Sequence, residues 1–334
     1  MSLALPTGPR LLVAASLAPV QGERFQPTGF PALGAATYRL ADAEGTSMLL
    51  VESPQSMANR LEATMLEPGT VDPLPLFSGL PYVRVMRNGT PITSSLIEAH
   101  RINSPYILEG EDKSLREALV VALNVGGESA VDNRTLAQVL FRYDPSSLVH
   151  GVFLAKKDIA GGRFRLSRSL SAFIEARNVR PVASGGVKND HVNPSGDTSS
   201  GFGNVPFARE EFTAGSVTAF FNVDLLQLRS YRLPEPATAL LEAIALWKVQ
   251  SLLAAPMRLR TACDLDVIAT AVTRPAAYEL PSLESLGTAI REGIVACTAA
   301  GLFSAPAVTE VQWTEGGSTK GKKGKADAST GAKS

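Results

Sequence analysis

Apolar and polar positions fall into short alternating runs, broken by Gly- and Pro-rich connections, with a few longer helical stripes. Arg10–Val20 reads as a first core strand. Met48-Leu-Leu-Val-Glu begins a second, and a helix follows it. Ser53 stands at the capping position and Pro54 at the first helical one. Over 55–66, Met57, Leu61 and Met65 form one stripe. Gln55, Ser56, Asn59 and Arg60 are the polar residues near its start, and Arg60 is expected to face away from the stripe. Residues 68–91 read as loop with short strands, and 93–101 as helical. Asp112–Asn124 and Asp132–Tyr143 read as helices; the first has Leu115, Leu119 and Leu123 on one face and ends at Gly126-Gly127. Leu148–Leu154 reads as a core strand. Further strands are expected over 171–177 and 216–225, then a long apolar helix over Pro236–Leu253 that Pro256 breaks. Met257–Cys263 alternates, so that Arg258 and Arg260 share a face that could meet RNA. Leu283–Ala300 reads as a last helix, closed by Gly301.

Arg180–Glu211 departs from this pattern. It is dense in Gly, Ser, Asn and Pro, and a strand leads into each end. A connection of this length cannot form a core of its own. It nevertheless carries Val187, Val192, Phe202, Val205, Phe207 and Phe212, so it reads as a projecting hairpin that acquires order on a partner. Lys188 and Asn189 are expected beside a Gly185-Gly186 turn. With the insertions removed, the element order is βαββαβ, an α+β, ferredoxin-like arrangement.

With 45% hydrophobic and 19% charged residues among 334, the composition is globular. No window approaches the ~18 apolar residues of a membrane span, so no membrane partner is expected. Leu11–Val20 is preceded by a single side-chain positive charge, Arg10, and no small-residue cleavage site follows it, which favours a strand over a signal peptide. Two cysteines make no disulfide framework, and the simplest reading is a reduced, cytoplasmic protein.

Zero net charge argues against a polyanionic partner until its distribution is considered. Between Lys156 and Lys188 stand eight basic and two acidic residues, leading into the hairpin. Such a stripe suits nucleic acid; a solvated face is the competing reading. The helix end at Ser53 offers N–H groups and a positive dipole to a phosphate. In the loop after the first strand, Arg24 and Gln26 can reach outward while Phe25 and Phe30 anchor; a packed loop is the alternative.

Catalytic signatures are sparse. His100, His150 and His191 lie far apart in sequence, and no Cys or His spacing suits zinc. The GGSTKGKK run at 316–323 lacks the strand and the final Ser or Thr of a phosphate-binding loop. Asp190-His191 is one adjacent pair without partners. Neither a cofactor nor a metal is expected.

RLLVAASLAPVQGERFQPTGFPALGAATY, LLVESPQSMANRLE, HRINSPYIL, SGGVKND, GFGNVPF and LRLRTACDLD occur in this order. Together they resemble the backbone subunit of type I-G (formerly I-U) CRISPR Cascade complexes, in the RAMP superfamily. The resemblance spans about Arg10–Thr309. It implies one RAMP-type domain over residues 1–313: a modified ferredoxin-like, RRM-like palm, a helical insertion at about 68–147 and a β-hairpin thumb at about 179–212. A disordered Lys/Gly-rich tail would occupy 314–334. Copies would stack head to tail on CRISPR RNA beside other Cascade subunits and present the guide to target DNA. RNA contacts would fall to Arg24, Gln26, Ser53, Gln55, Ser56, Asn59, Arg60, His100, Arg101, Arg163, Arg165, Lys188, Asn189, Phe202, Phe207, Arg258 and Arg260. No catalysis is implied. The alternative is a RAMP-type endoribonuclease processing precursor RNA, with His100 or His191 as general base.

Overall fold

A computed structural model describes residues 5–29, 33–123, 132–159, 162 and 164–314. The first part of the chain forms β1 (Arg10–Pro19), β2 (Ala36–Arg39), β3 (Ser47–Glu52), α1 (Pro54–Ala63), β4 (Tyr82–Arg87), β5 (Thr90–Ser94), α2 (Pro105–Leu108), α3 (Ser114–Leu123), α4 (Asn133–Tyr143) and α5 (Ser146–His150). Then come β6 (Val152–Leu154), β7 (Phe164–Leu166), β8 (Leu170–Arg177), β9 (Arg180–Lys188), β10 (Val205–Thr213) and β11 (Ser216–Asp224). The chain continues through α6 (Leu225–Ser230), α7 (Glu235–Ala254), β12 (Met257–Arg260), β13 (Cys263–Arg274), α8 (Leu283–Ala299) and β14 (Val308–Gln312).

Alternation builds the main sheet. In β1, Leu11, Val13, Ala15 and Leu17 are buried while Ser16 points out. β8 and β11 alternate in the same way. Seven strands lie in the order β12-β13-β1-β11-β8-β3-β2, and every neighbouring pair is antiparallel. Helices α1 and α7 pack on this sheet and on each other. α7 is buried nearly all round, with Leu240, Ile244 and Trp247 inside. It is the one described helix long and apolar enough to cross a membrane, and here it serves as a core helix. The strand beside β1 is β13, whereas the Met257–Cys263 run supplies only the edge strand β12. β13 was hard to read because its inward pattern fades after Leu265. Both cysteines are buried and unpaired. Burial pushes their thiols up, to about 12 for Cys263 and about 11 for Cys297.

Residues 68–147, expected as a helical insertion, hold strands as well as helices. They contribute α2, α3 and α4, but β4 and β5 form a three-stranded sheet with β14, which returns from the chain's end parallel to β4. The helix expected over 93–101 is absent. Thr93 and Ser94 belong to β5, paired with Val85 and Arg84. Their hydroxyls donate to Glu98 Oε1 (2.6 Å) and the Val71 carbonyl (2.7 Å). Such side-chain bonds compete with helix formation. The strand expected at Leu148–Leu154 is also corrected: Ser146–His150 is a short, fully buried helix, and only Val152–Leu154 is extended. Periodicity does not separate a short buried helix from a buried strand. Gly151, at φ +79°, makes the turn between them.

β9 and β10 pair from Arg180↔Thr213 to Lys188↔Val205, apart from the main sheet. The hairpin reading holds, but its turn moves. Gly185 and Gly186 lie within the ladder, opposite Ala208 and Phe207, and residues 189–204 form the apex. Gly185 is required there, since a Cβ would come within 2.5 Å of the Phe207 carbonyl oxygen. An antiparallel bridge between buried Phe25 and Phe212 ties the hairpin's base to the loop after β1.

Candidate nucleic-acid interface

The N-terminus of α1 is built as its sequence predicts. Ser53 is extended and its Oγ accepts from the Ser56 amide (3.2 Å), and no acid occupies the first turn. Gln55 and Asn59 are exposed and bonded to each other (3.3 Å). Arg168 reaches this end from the β7–β8 turn, donating to Gln55 Oε1 and to the Pro54 carbonyl (3.4 Å). Backbone N–H groups, the dipole and one guanidinium therefore meet at a single helix end.

Arg168 also borders a cleft of about 660 Å³ between the 99–105 turns and the β6–β7 ribbon. His100, Arg101, Lys156 and Arg165 line it, and among the described residues no Asp or Glu does. His100 and Arg165 are exposed. Part of the basic run is already neutralised. Lys156 is bonded to Glu109, and Arg177 lies 3.9 Å from Asp42.

Two of the residues expected to contact RNA are engaged within the fold. Arg101 is buried: its Nε donates to Glu62 Oε1 (2.6 Å) and its Nη1 to the Gly151 carbonyl (3.0 Å). Arg60 does not point freely outward. It donates to the carbonyls of Leu259 (2.7 Å) and Arg258 (3.2 Å) and lies 3.5 Å from the fully buried Glu52. Beneath the cleft lies a buried polar cluster. Lys248 Nζ donates to the Leu61 carbonyl (3.3 Å), and burial pushes the lysine down to about 7. Burial likewise raises Asp144 to about 6, and it lowers His150 well below its usual range, aided by Lys248, Arg101 and Arg168.

A second cleft, of about 320 Å³, lies between the loop after β1 and the hairpin's base. Gln26, Arg209 and Arg260 line it. Arg260 donates to the Pro27 carbonyl (3.3 Å), and Arg24 pairs with Glu211 (3.6 Å). Arg258 is exposed on β12. The contacts are continuous from the first cleft through Arg168 to α1, through Arg60 to β12, and through Arg260 to the Pro27 carbonyl in the loop after β1, which the Phe25–Phe212 bridge joins to the hairpin's base. On the hairpin, Lys188, Asn189, Phe202 and Phe207 are exposed, and the Arg209 guanidinium covers the Phe207 ring at 4.9 Å. Asp190 is committed to the apex: its carboxylate accepts from the amides of Asn193, Gly203 and Val192, which lower its pKa. Arg163, Phe30 and residues 315–334 fall outside the described residues.

Sequence reasoning did not single out Arg168, His150 or Phe153 as site residues. Arg168 was visible only as one cation in the basic run. His150 and Phe153 read as core, because nothing in the sequence marks a helix that turns at Gly151 and opens on a cleft.

No curated protein matches the chain. Among solved structures, one described as "CRISPR RNA-guided surveillance complex, pre-nicking" is similar at 15% identity. That match covers 77% of this chain and 73% of that one, with a TM-score of 0.39. Csc2 of Thermofilum pendens is similar at 11% identity, covering 88% and 76% with a TM-score of 0.32. The family described as CRISPR-associated protein GSU0053 (Cas_GSU0053) matches residues 11–181, just over half of the chain. The motif resemblance to a CRISPR subunit agrees with that match, and the chain belongs to the CRISPR-associated protein GSU0053 family.

Proposed function

We propose that the chain is a non-catalytic backbone subunit of a type I CRISPR interference complex. It binds CRISPR RNA as a head-to-tail array of copies and holds the guide for pairing with target DNA. The observation that carries this reading is the continuous polar strip from the acid-free basic cleft, across the N-terminus of α1, to the base of a hairpin outside the main sheet. Phosphate contacts of this kind position an RNA without reading its bases. The sheet supports a ferredoxin-like palm. Its strands β13-β1-β11-β8 run in the order fourth, first, third, second of a βαββαβ unit whose helices are α1 and α7. The hairpin is then the thumb and residues 68–147 the insertion. Two histidines in one cleft, His100 and His150, favour the ribonuclease alternative enough to require a control.

The test is to co-express the chain with a CRISPR array, purify it and measure the mass and bound RNA. The expected result is a ribonucleoprotein holding several copies on one intact guide. Protein free of RNA would overturn the reading, and RNA cut by the purified chain alone would favour the alternative.

A further inference from the structure

The first cleft contains more than a phosphate site needs. One wall is the two-stranded ribbon β6–β7, in which Phe153 stands directly opposite Arg165. Strand alternation turns Val152, Leu154, Phe164 and Leu166 inward and leaves Phe153 and Arg165 together on the open face. Phe153 is 51% exposed and lines the cleft, so its ring face is open to a stacking partner. His150 supplies a second, independent observation. It lines the same cleft, is 1% exposed, and has no hydrogen-bond partner at Nδ1 or Nε2 among the described residues. Buried polar groups are nearly always paired. A neutral imidazole offers one donor and one acceptor on diverging sides of its ring, and either can bond a nucleobase edge. Its neutrality follows from its burial beside Lys248, Arg101 and Arg168.

We propose that this cleft is a pocket for one unpaired ribonucleotide, with its base stacked on Phe153 and edge-bonded to His150 and its phosphates on Arg165 and Arg168. The proposal rests on the RNA-binding reading above and adds a base-dependent contact to it. A volume of about 660 Å³ holds one nucleotide with its flanking phosphates. The absence of a lining carboxylate among the described residues suits the anionic ligand. Aromatic stacking accepts every base, so the pocket favours a base over none more strongly than one base over another.

The test uses the full chain and two labelled probes of equal charge, an octauridylate and an abasic ribose-phosphate octamer, read by fluorescence anisotropy. Phe153→Ala should weaken octauridylate binding about 5- to 150-fold and leave abasic binding unchanged. Phe153→Trp should restore it, and Arg165→Ala should weaken both probes. His150→Leu removes two unpaired nitrogens, so it should keep or raise Tm while weakening octauridylate binding. Undiminished binding in His150→Leu would remove the edge contact. If wild type binds both probes and Phe153→Ala changes neither, or both equally, the pocket is wrong and the RNA reading stands. If wild type binds neither probe, both fall.

Discussion

At the scale of single residues, the main question is which cations are free to meet an anion. Arg60 is the clearest case. Its partners are the carbonyls of Arg258 and Leu259, some two hundred positions away, and the buried Glu52. Glu52 Oε1 and Arg60 Nε have no hydrogen-bond partner among the described residues. Arg60→Glu therefore sets a second carboxylate against a buried one and removes the tie between α1 and β12. The expected loss is about 3 kcal/mol of stability, seen as a lower urea midpoint in the RNA-free protein. An unchanged midpoint would return Arg60 to the surface role that its helix position alone implies. Arg101 illustrates the same limit, since no sequence pattern marks Glu62 and the Gly151 carbonyl as its partners. Ser53, Gln55 and Asn59 were legible because their roles are local: a cap and a first turn depend on residues three or four apart.

At the scale of elements, the hairpin separates into a ladder and an apex. The ladder runs from Arg180↔Thr213 to Lys188↔Val205 and keeps its own backbone bonds. The apex is held by Asp190 and Asp197, which accept from nearby amides and hydroxyls, and it exposes Val192 and Phe202. Replacing 189–204 by Asn-Gly closes the same register with a two-residue turn. Stability should then change by no more than about 0.5 kcal/mol, because no core residue is lost. If the apex meets guide or neighbour, the same variant should purify as short or RNA-free species, and mass photometry of the co-expressed complex would show it. Full-length assemblies from this variant would exclude the apex from assembly. The hairpin's existence was legible from polar composition between two apolar strands. Its turn was misplaced because Gly-Gly marks close backbone approach as well as turns, and here it meets the Phe207 carbonyl and ring.

At the scale of the whole molecule, β14 is a structural part of the sheet that β4 and β5 form. β14 pairs along β4, buries Val311 and places Trp313 on Tyr106 at 4.9 Å. The Trp313 amide also donates to the Met86 carbonyl (2.7 Å). Truncation after Ala307 should cost about 3 kcal/mol, measured as a lowered melting temperature. Truncation after Trp313 should leave melting and complex mass unchanged at physiological salt. That tail is mostly Gly, Ser, Ala and Lys and can add only screened attraction. Equal effects from both truncations would contradict the role given to β14.

By itself the sequence determined the mixed α+β character, the capped start of α1, the buried stripes of α3 and α7, and the presence of a hairpin. Each depends on periodicity, capping or composition within a few residues of itself. Only the tertiary structure decided which strand lies beside β1, which arginines are held by carbonyls and buried acids, and that the β6–β7 ribbon and His150 line one cleft without a carboxylate among the described residues. Those facts depend on which distant segments share a layer, and side-chain pairing across a fold leaves no local pattern to read.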